Sequence, residues 1–165
     1  MLIGLLATLV SSFVLLLMIG RSWPASGLSA QRSGMLALAL LFLITGSVHF
    51  TMTEGMARMI PAFMPAPQLI VILSGVAEIA LAAGLAIPRT SRLAAVAAIL
   101  FLLAVLPVNI YSALNHVDFG GHAAGPSYLL LRIPFQLLLV SWLWWFGIRK
   151  TPDSAPERSV QLTTD

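Results

Sequence analysis

The stretch Gln68–Arg92, QLIVILSGVAEIALAAGLAIPRTSR, decides the fold. It runs to Pro88 without a Lys or Arg, carries one carboxylate near its middle, Glu78, and stops at Pro88–Arg89. About 20 apolar residues in a helix cross the hydrocarbon core of a bilayer, so the stretch predicts a transmembrane helix. An ionised carboxylate at mid-depth costs roughly 2.5–3.5 kcal/mol on insertion scales. Glu78 is therefore expected to face the protein interior and to have a polar partner there.

The rest of the chain agrees with that reading. Of its 165 residues, 59% are hydrophobic and 9% charged, and the mean hydropathy is +0.96. Soluble domains carry about 25% charged residues. The basic residues stand singly or in pairs at the ends of apolar runs, which does not fit a nucleic-acid partner and leaves the lipid bilayer as the expected one. There is no cysteine, so thiol chemistry and thiolate metal ligation are excluded.

Five apolar runs follow one another: Leu2–Gly20, Met35–Phe50, Gln68–Ile87, Leu93–Ala113 and Tyr128–Ile148. All are expected to be helical, because in lipid only helices and closed barrels satisfy every backbone group. The first reads as a retained span rather than a cleaved signal peptide. No basic residue precedes it, and its apolar core exceeds the 7–15 residues usual for a signal peptide. Arg21, Arg32, Arg89, Arg92, Arg149, Lys150 and Arg158 all fall on one side of the predicted topology. The positive-inside rule makes that side cytoplasmic and puts the N-terminus outside, as expected for a multi-pass protein of a bacterial inner (plasma) membrane. Trp142, Trp144 and Trp145, just before Arg149, read as an aromatic belt at the cytoplasmic interface.

Two connections on the opposite side stand out. Thr51–Gln68, TMTEGMARMIPAFMPAPQ, spaces Met52, Met56 and Met59 along a helical face and then carries Pro61, Pro65 and Pro67. It predicts a short interfacial helix followed by an extended return. Asn115–Ser127, NHVDFGGHAAGPS, is polar and glycine-rich and is expected to be mobile.

Inside the spans the polar residues form a small set. With Glu78 stand His49 on the second helix, Asn109 on the fourth, and Arg132 and Gln136 on the fifth. Tyr128, Arg132 and Gln136 are four apart and make one stripe, and Thr45 and His49 share a face. At about 1.5 Å rise per residue, Glu78 sits about 15 Å from either end of its helix, within reach of an inward-pointing Arg132. Arg132 is its expected partner. A buried ion pair that merely fixes helix register accounts for Glu78 and Arg132 about as well as a functional role does. Asn109 and Gln136 read as interhelical hydrogen bonds. Pro107 and Pro134 free the carbonyls of Leu103 and Leu130, which membrane helices tolerate where the carbonyl lines a cavity or finds a neighbour. Small residues around Glu78 (Ser74, Gly75, Ala82) allow another helix to come close. Histidines and methionines on the loop side have no close ligand spacing, so no metal site is expected.

The segments GSVHF (Gly46–Phe50), PAFMPAP (Pro61–Pro67), LSGVAEIALAAGLAIPRTSRLAA (Leu73–Ala95), LPVNIYSALN (Leu106–Asn115) and LRIPFQLLLVSWLWW (Leu131–Trp145) resemble, in order and spacing, the DoxX-like family of small integral membrane proteins. Leu106 stands where that family's proline–asparagine motif has an aromatic residue. The resemblance implies an all-α membrane fold in which the second to fifth helices form a four-helix transmembrane bundle, with an additional N-terminal transmembrane helix. The chain then divides into that helix and its loop (1–34), the four-helix domain (35–148) and a disordered cytoplasmic tail (149–165). The resemblance also implies a pocket at His49, Glu78, Asn109, Arg132 and Gln136. The expected role is that of a quinone-linked accessory component of a membrane redox or oxidative-stress system. The alternatives are an anchoring or assembly subunit, or a binder of a small lipophilic compound. No cofactor is implied outright; a quinone headgroup is the candidate this polar set could hold. A redox partner protein would be required, since the sequence has no flavin motif, no cysteine and no pair of facing histidines for haem. The sequence names no reaction.

Overall fold

The computed structural model describes residues 2–149, and the tail beyond Arg149 lies outside them. Six α-helices and no strands occur among the described residues: α1 (Leu2–Ser22), α2 (Ala30–Thr51), α3 (Thr53–Ala57), α4 (Pro67–Ala86), α5 (Ser91–Leu114) and α6 (Pro126–Leu143). All but α3 are long and apolar enough to cross a membrane, with α6 continued to Ile148 by a π-helical turn. The chain is a polytopic membrane protein. Its long connections, 52–66 and 115–125, lie at one end of the bundle, where Phe119 packs against Gly55. Short turns close the other end.

The helix limits follow from local chemistry. Ser29 starts α2 five residues before its apolar run, because the Ser29 hydroxyl accepts the Arg32 backbone N–H at 3.2 Å. Such a cap satisfies one of the amides that a helix start leaves unpaired. Pro67 occupies the first turn of α4, where its missing N–H costs nothing.

α2 is the central helix, with 44% of its most apolar window buried against 6% for α1. Leu38, Leu41 and Phe42 of α2 meet Ala82, Leu85, Ala95 and Leu143 in the core. The most extensive packing is between α2 and α4. Its close approach depends on Gly75: a Cβ there would stand 2.6 Å from the His49 Cβ and 3.0 Å from the Gly46 carbonyl oxygen. In lipid, where no hydrophobic force drives helices together, such small-residue contacts supply the van der Waals attraction. α1 lies at the edge, held by Leu9 and by Phe13, whose ring meets Trp142 edge-on at 5.1 Å.

Three expectations are corrected. The proline-rich return is not extended. α3 ends at Ala57, and 58–65 is a series of turns closed by bonds such as Met64 N–H to the Pro61 carbonyl, 2.9 Å. The prolines supply the fixed φ of turns rather than a polyproline run. The 115–127 connection is not a loose loop either. It folds back on itself through a ladder of turn hydrogen bonds, and His122 within it is 2% exposed. Trp142 turns inward rather than out toward the interface. Its indole N–H donates to the Gly34 carbonyl at 2.9 Å and ties α6 to α2. Trp144 and Trp145 remain exposed, with the Arg149 guanidinium 4.2 Å from the centre of the Trp145 ring.

Candidate functional site

A cavity of about 280 Å³ runs from mid-bundle to the long-connection end. Leu41, Leu102 and Leu139 bound its deep part, and Ile60, Met56, Met59 and Phe119 its end. The walls are mostly aliphatic or aromatic, and the polar side chains are Thr45, His49, Ser74, Glu78, Asn109, His122, Tyr128 and Arg132. Leu5 of α1 adds to the wall.

Of the residues singled out from sequence, His49, Glu78, Asn109 and Arg132 line this cavity, and Gln136 does not. Gln136 is 4% exposed and sits behind the wall, where its amide donates to the Leu102 carbonyl of α5 at 2.6 Å. That is the interhelical bond expected of it, taken one residue before the carbonyl that Pro107 frees. Asn109 forms no such bond: its amide turns back to the Val105 carbonyl of its own helix at 2.9 Å.

The partner of Glu78 is the main correction. The side chain bonded to it is Thr45 of α2, whose hydroxyl donates to Glu78 Oε2 at 2.5 Å. His49 and Arg132 stand within electrostatic reach, and neither makes an ion pair with Glu78 within 4 Å. The Gly46–Gly75 contact explains the geometry. It brings α2 so close to α4 that a short hydroxyl spans the gap, while Arg132 belongs to α6 across the cavity. Thr45 also lies 3.1 Å from the Leu41 carbonyl and 3.3 Å from that of Phe42, so its rotamer is fixed. One turn on, His49 Nδ1 donates to the Thr45 carbonyl at 2.9 Å.

A second group gathers where the 115–125 connection meets α6. His122 Nδ1 donates to the Phe119 carbonyl at 2.8 Å, and its ring lies 4.3 Å from that of Tyr128, centre to centre. Gly121 makes this contact possible. Its φ is 102°, and a Cβ there would come within 2.9 Å of the Tyr128 ring. Burial pushes the His122 imidazole below its ordinary value; the Phe119 bond opposes that shift and the Arg132 charge adds to it. Three buried atoms here have no protein partner: His122 Nε2, Tyr128 OH and Arg132 Nε. A buried polar group left unpaired costs about 1–3 kcal/mol, so each of these atoms calls for a partner. In sequence, Tyr128 falls on the stripe with Arg132 but outside the set of site residues, and His122 falls in the segment expected to be mobile. The glycine pair Gly120–Gly121 just before His122 was the available signal, since it lets the chain fold inward.

Among the described residues no three His, Asp or Glu side chains form a cluster that could hold a metal ion.

A family model for a domain of unknown function, DUF8561, matches residues 38–147, two thirds of the chain. The chain belongs to the DUF8561 family. Every cavity-lining residue except Leu5 falls inside the DUF8561 segment, whereas α1 precedes it. No curated protein and no solved structure matches this DUF8561 chain.

Proposed function

We propose that this DUF8561 protein binds a small membrane-soluble ring compound of the quinone class in its cavity. It would act as an accessory component of a membrane redox or oxidative-stress system. The observation that carries the reading is the pairing of an apolar-walled cavity with buried, unpartnered donors at one end, Tyr128 OH and Arg132 Nε. A quinone offers carbonyl oxygens to such donors and an apolar ring to such walls. At about 280 Å³ the cavity lies at the small end of ligand pockets, which run roughly 300–1,000 Å³. It suits a headgroup, with any tail left in lipid. The resemblance to DoxX-like proteins points the same way. The electron carrier would be a partner protein.

Charge distribution supports an orientation for this arrangement. Arg21, Arg32, Arg89, Arg92 and Arg149 lie at the short-turn end, and Arg58 is paired in sequence with Glu54 at the other. By the positive-inside rule the short-turn end is cytoplasmic and the cavity end faces outward.

The anchoring alternative draws on three helix-to-helix bonds, Thr45–Glu78, Gln136–Leu102 and Trp142–Gly34. These account for Glu78 and for the Gln136 amide N–H but leave Tyr128 and Arg132 unexplained. The two readings separate on extraction of the purified protein with organic solvent followed by mass spectrometry. A ring compound recovered in stoichiometric amount from the wild type, and depleted from Arg132→Gln, supports binding. Ligand-free protein from several preparations refutes it.

A further inference from the structure

The hydrogen-bonding inventory at the His122 end of the cavity restricts the ligand further. The Phe119 carbonyl can only accept, so the hydrogen of the neutral His122 ring must be on Nδ1, which sits 2.8 Å away. Nε2 is then a bare acceptor, and it is buried without a protein partner. Burial favours this neutral form, and the positive charge of Arg132 reinforces it. Beside it, Arg132 Nε can only donate, and Tyr128 OH can do either. His122 is 2% and Tyr128 7% exposed, so bulk water does not pay the desolvation of either side chain.

A carbonyl oxygen satisfies the two donors and leaves His122 Nε2 unpaired. A hydroxyl can accept from one of the donors while donating to His122 Nε2, which a carbonyl or ether oxygen cannot do. We infer that the cavity selects a ring compound bearing a free hydroxyl, a phenol or quinol, over the corresponding carbonyl or ether, with His122 Nε2 as the acceptor that distinguishes them. This rests on the binding reading above and deepens it: of the two redox forms of a quinone, the site favours the reduced one. No electron transfer is assigned to the protein by this step, which concerns only which form is held.

The test uses a redox-inert matched pair, 4-pentylphenol and its methyl ether, titrated into the full-length protein in lipid nanodiscs. The expected result is binding of both, with the phenol at least about tenfold tighter, as expected when the ether leaves one buried acceptor unpaired. Ubiquinol-1 and ubiquinone-1, compared under anaerobic conditions, should rank in the same order. His122→Phe should reduce the phenol's advantage to less than about twofold, since neither compound then leaves that acceptor unpaired. If that variant does not fold, the measurements on the unaltered protein stand alone. Equal affinities for phenol and ether would overturn the inference and leave the binding reading intact, a water then taking the hydroxyl position. Failure of all four compounds to bind would overturn both.

Discussion

The Glu78 carboxylate, twelve residues into a twenty-residue span, takes its short bond from a threonine one helix away. Bonds of this kind in membranes are worth about 0.6 kcal/mol on average and up to about 1.7 kcal/mol, because the separated helices find other partners. A double-mutant cycle of Thr45→Val with Glu78→Gln, followed by reversible unfolding in detergent, should give a coupling in that range. The corresponding cycle of Glu78→Gln with Arg132→Gln should give a smaller one, since the two groups form no ion pair. A larger coupling to Arg132 would restore the ion-pair scaffold. The cost of an intramembrane carboxylate was legible in sequence, as was the stripe carrying Arg132. Which hydroxyl lay nearest was not, because that depends on how closely two backbones approach. Burial of His122 was hidden for a related reason: a glycine-rich polar segment looks the same whether it folds into a cavity or stands in water.

At the scale of the helices, the contact at Gly75 sets the distance between α2 and α4 and thereby the Thr45–Glu78 bond. Gly75→Ala places a Cβ 2.6 Å from the His49 Cβ, and overpacking of this order costs about 1–3 kcal/mol. Thermal denaturation in detergent should register that loss. Gly4→Ala has nothing within 4 Å and should stay near wild type, within about 0.5 kcal/mol. Equal effects of the two would mean that Gly75 is not a close-contact position. The existence and order of all five spans could be read from apolar runs alone, because the bilayer demands continuous hydrophobic length. The short elements could not. Met52, Met56 and Met59 carry a helical period, yet α3 lasts only from Thr53 to Ala57, and Met59 lies in the turn after it. Trp142 sits among residues that fit an interfacial belt, and only the packed structure gives it Gly34 as a partner.

For the whole molecule, orientation and binding are the properties to be tested. The chain has no cysteine, so single introduced thiols report cleanly. A thiol at Ala62, at the cavity end, should react with a membrane-impermeant maleimide in intact cells, and one at Ser26 only after lysis. The reverse pattern would invert the topology. The polar-pocket residues were recognisable as a group because each is expensive in lipid. A pocket among them was expected, but its size and its apolar walls were not legible, since its volume is a remainder of packing across five helices and two connections. The central claim is that this remainder is a binding site, in which Tyr128 and Arg132 meet a ligand. Arg132 makes no ion pair with Glu78, only a longer-range electrostatic contact, and Glu78 keeps its Thr45 bond, so Arg132→Gln is expected to leave the protein folded. The decisive measurement is an equilibrium titration of short-chain ubiquinone into the wild type and Arg132→Gln in nanodiscs, alongside their melting temperatures. The account predicts saturable one-site binding by the wild type, at least about tenfold weaker in Arg132→Gln, with melting temperatures alike. Binding that does not saturate in the wild type, or that is equally tight in the variant, would contradict it.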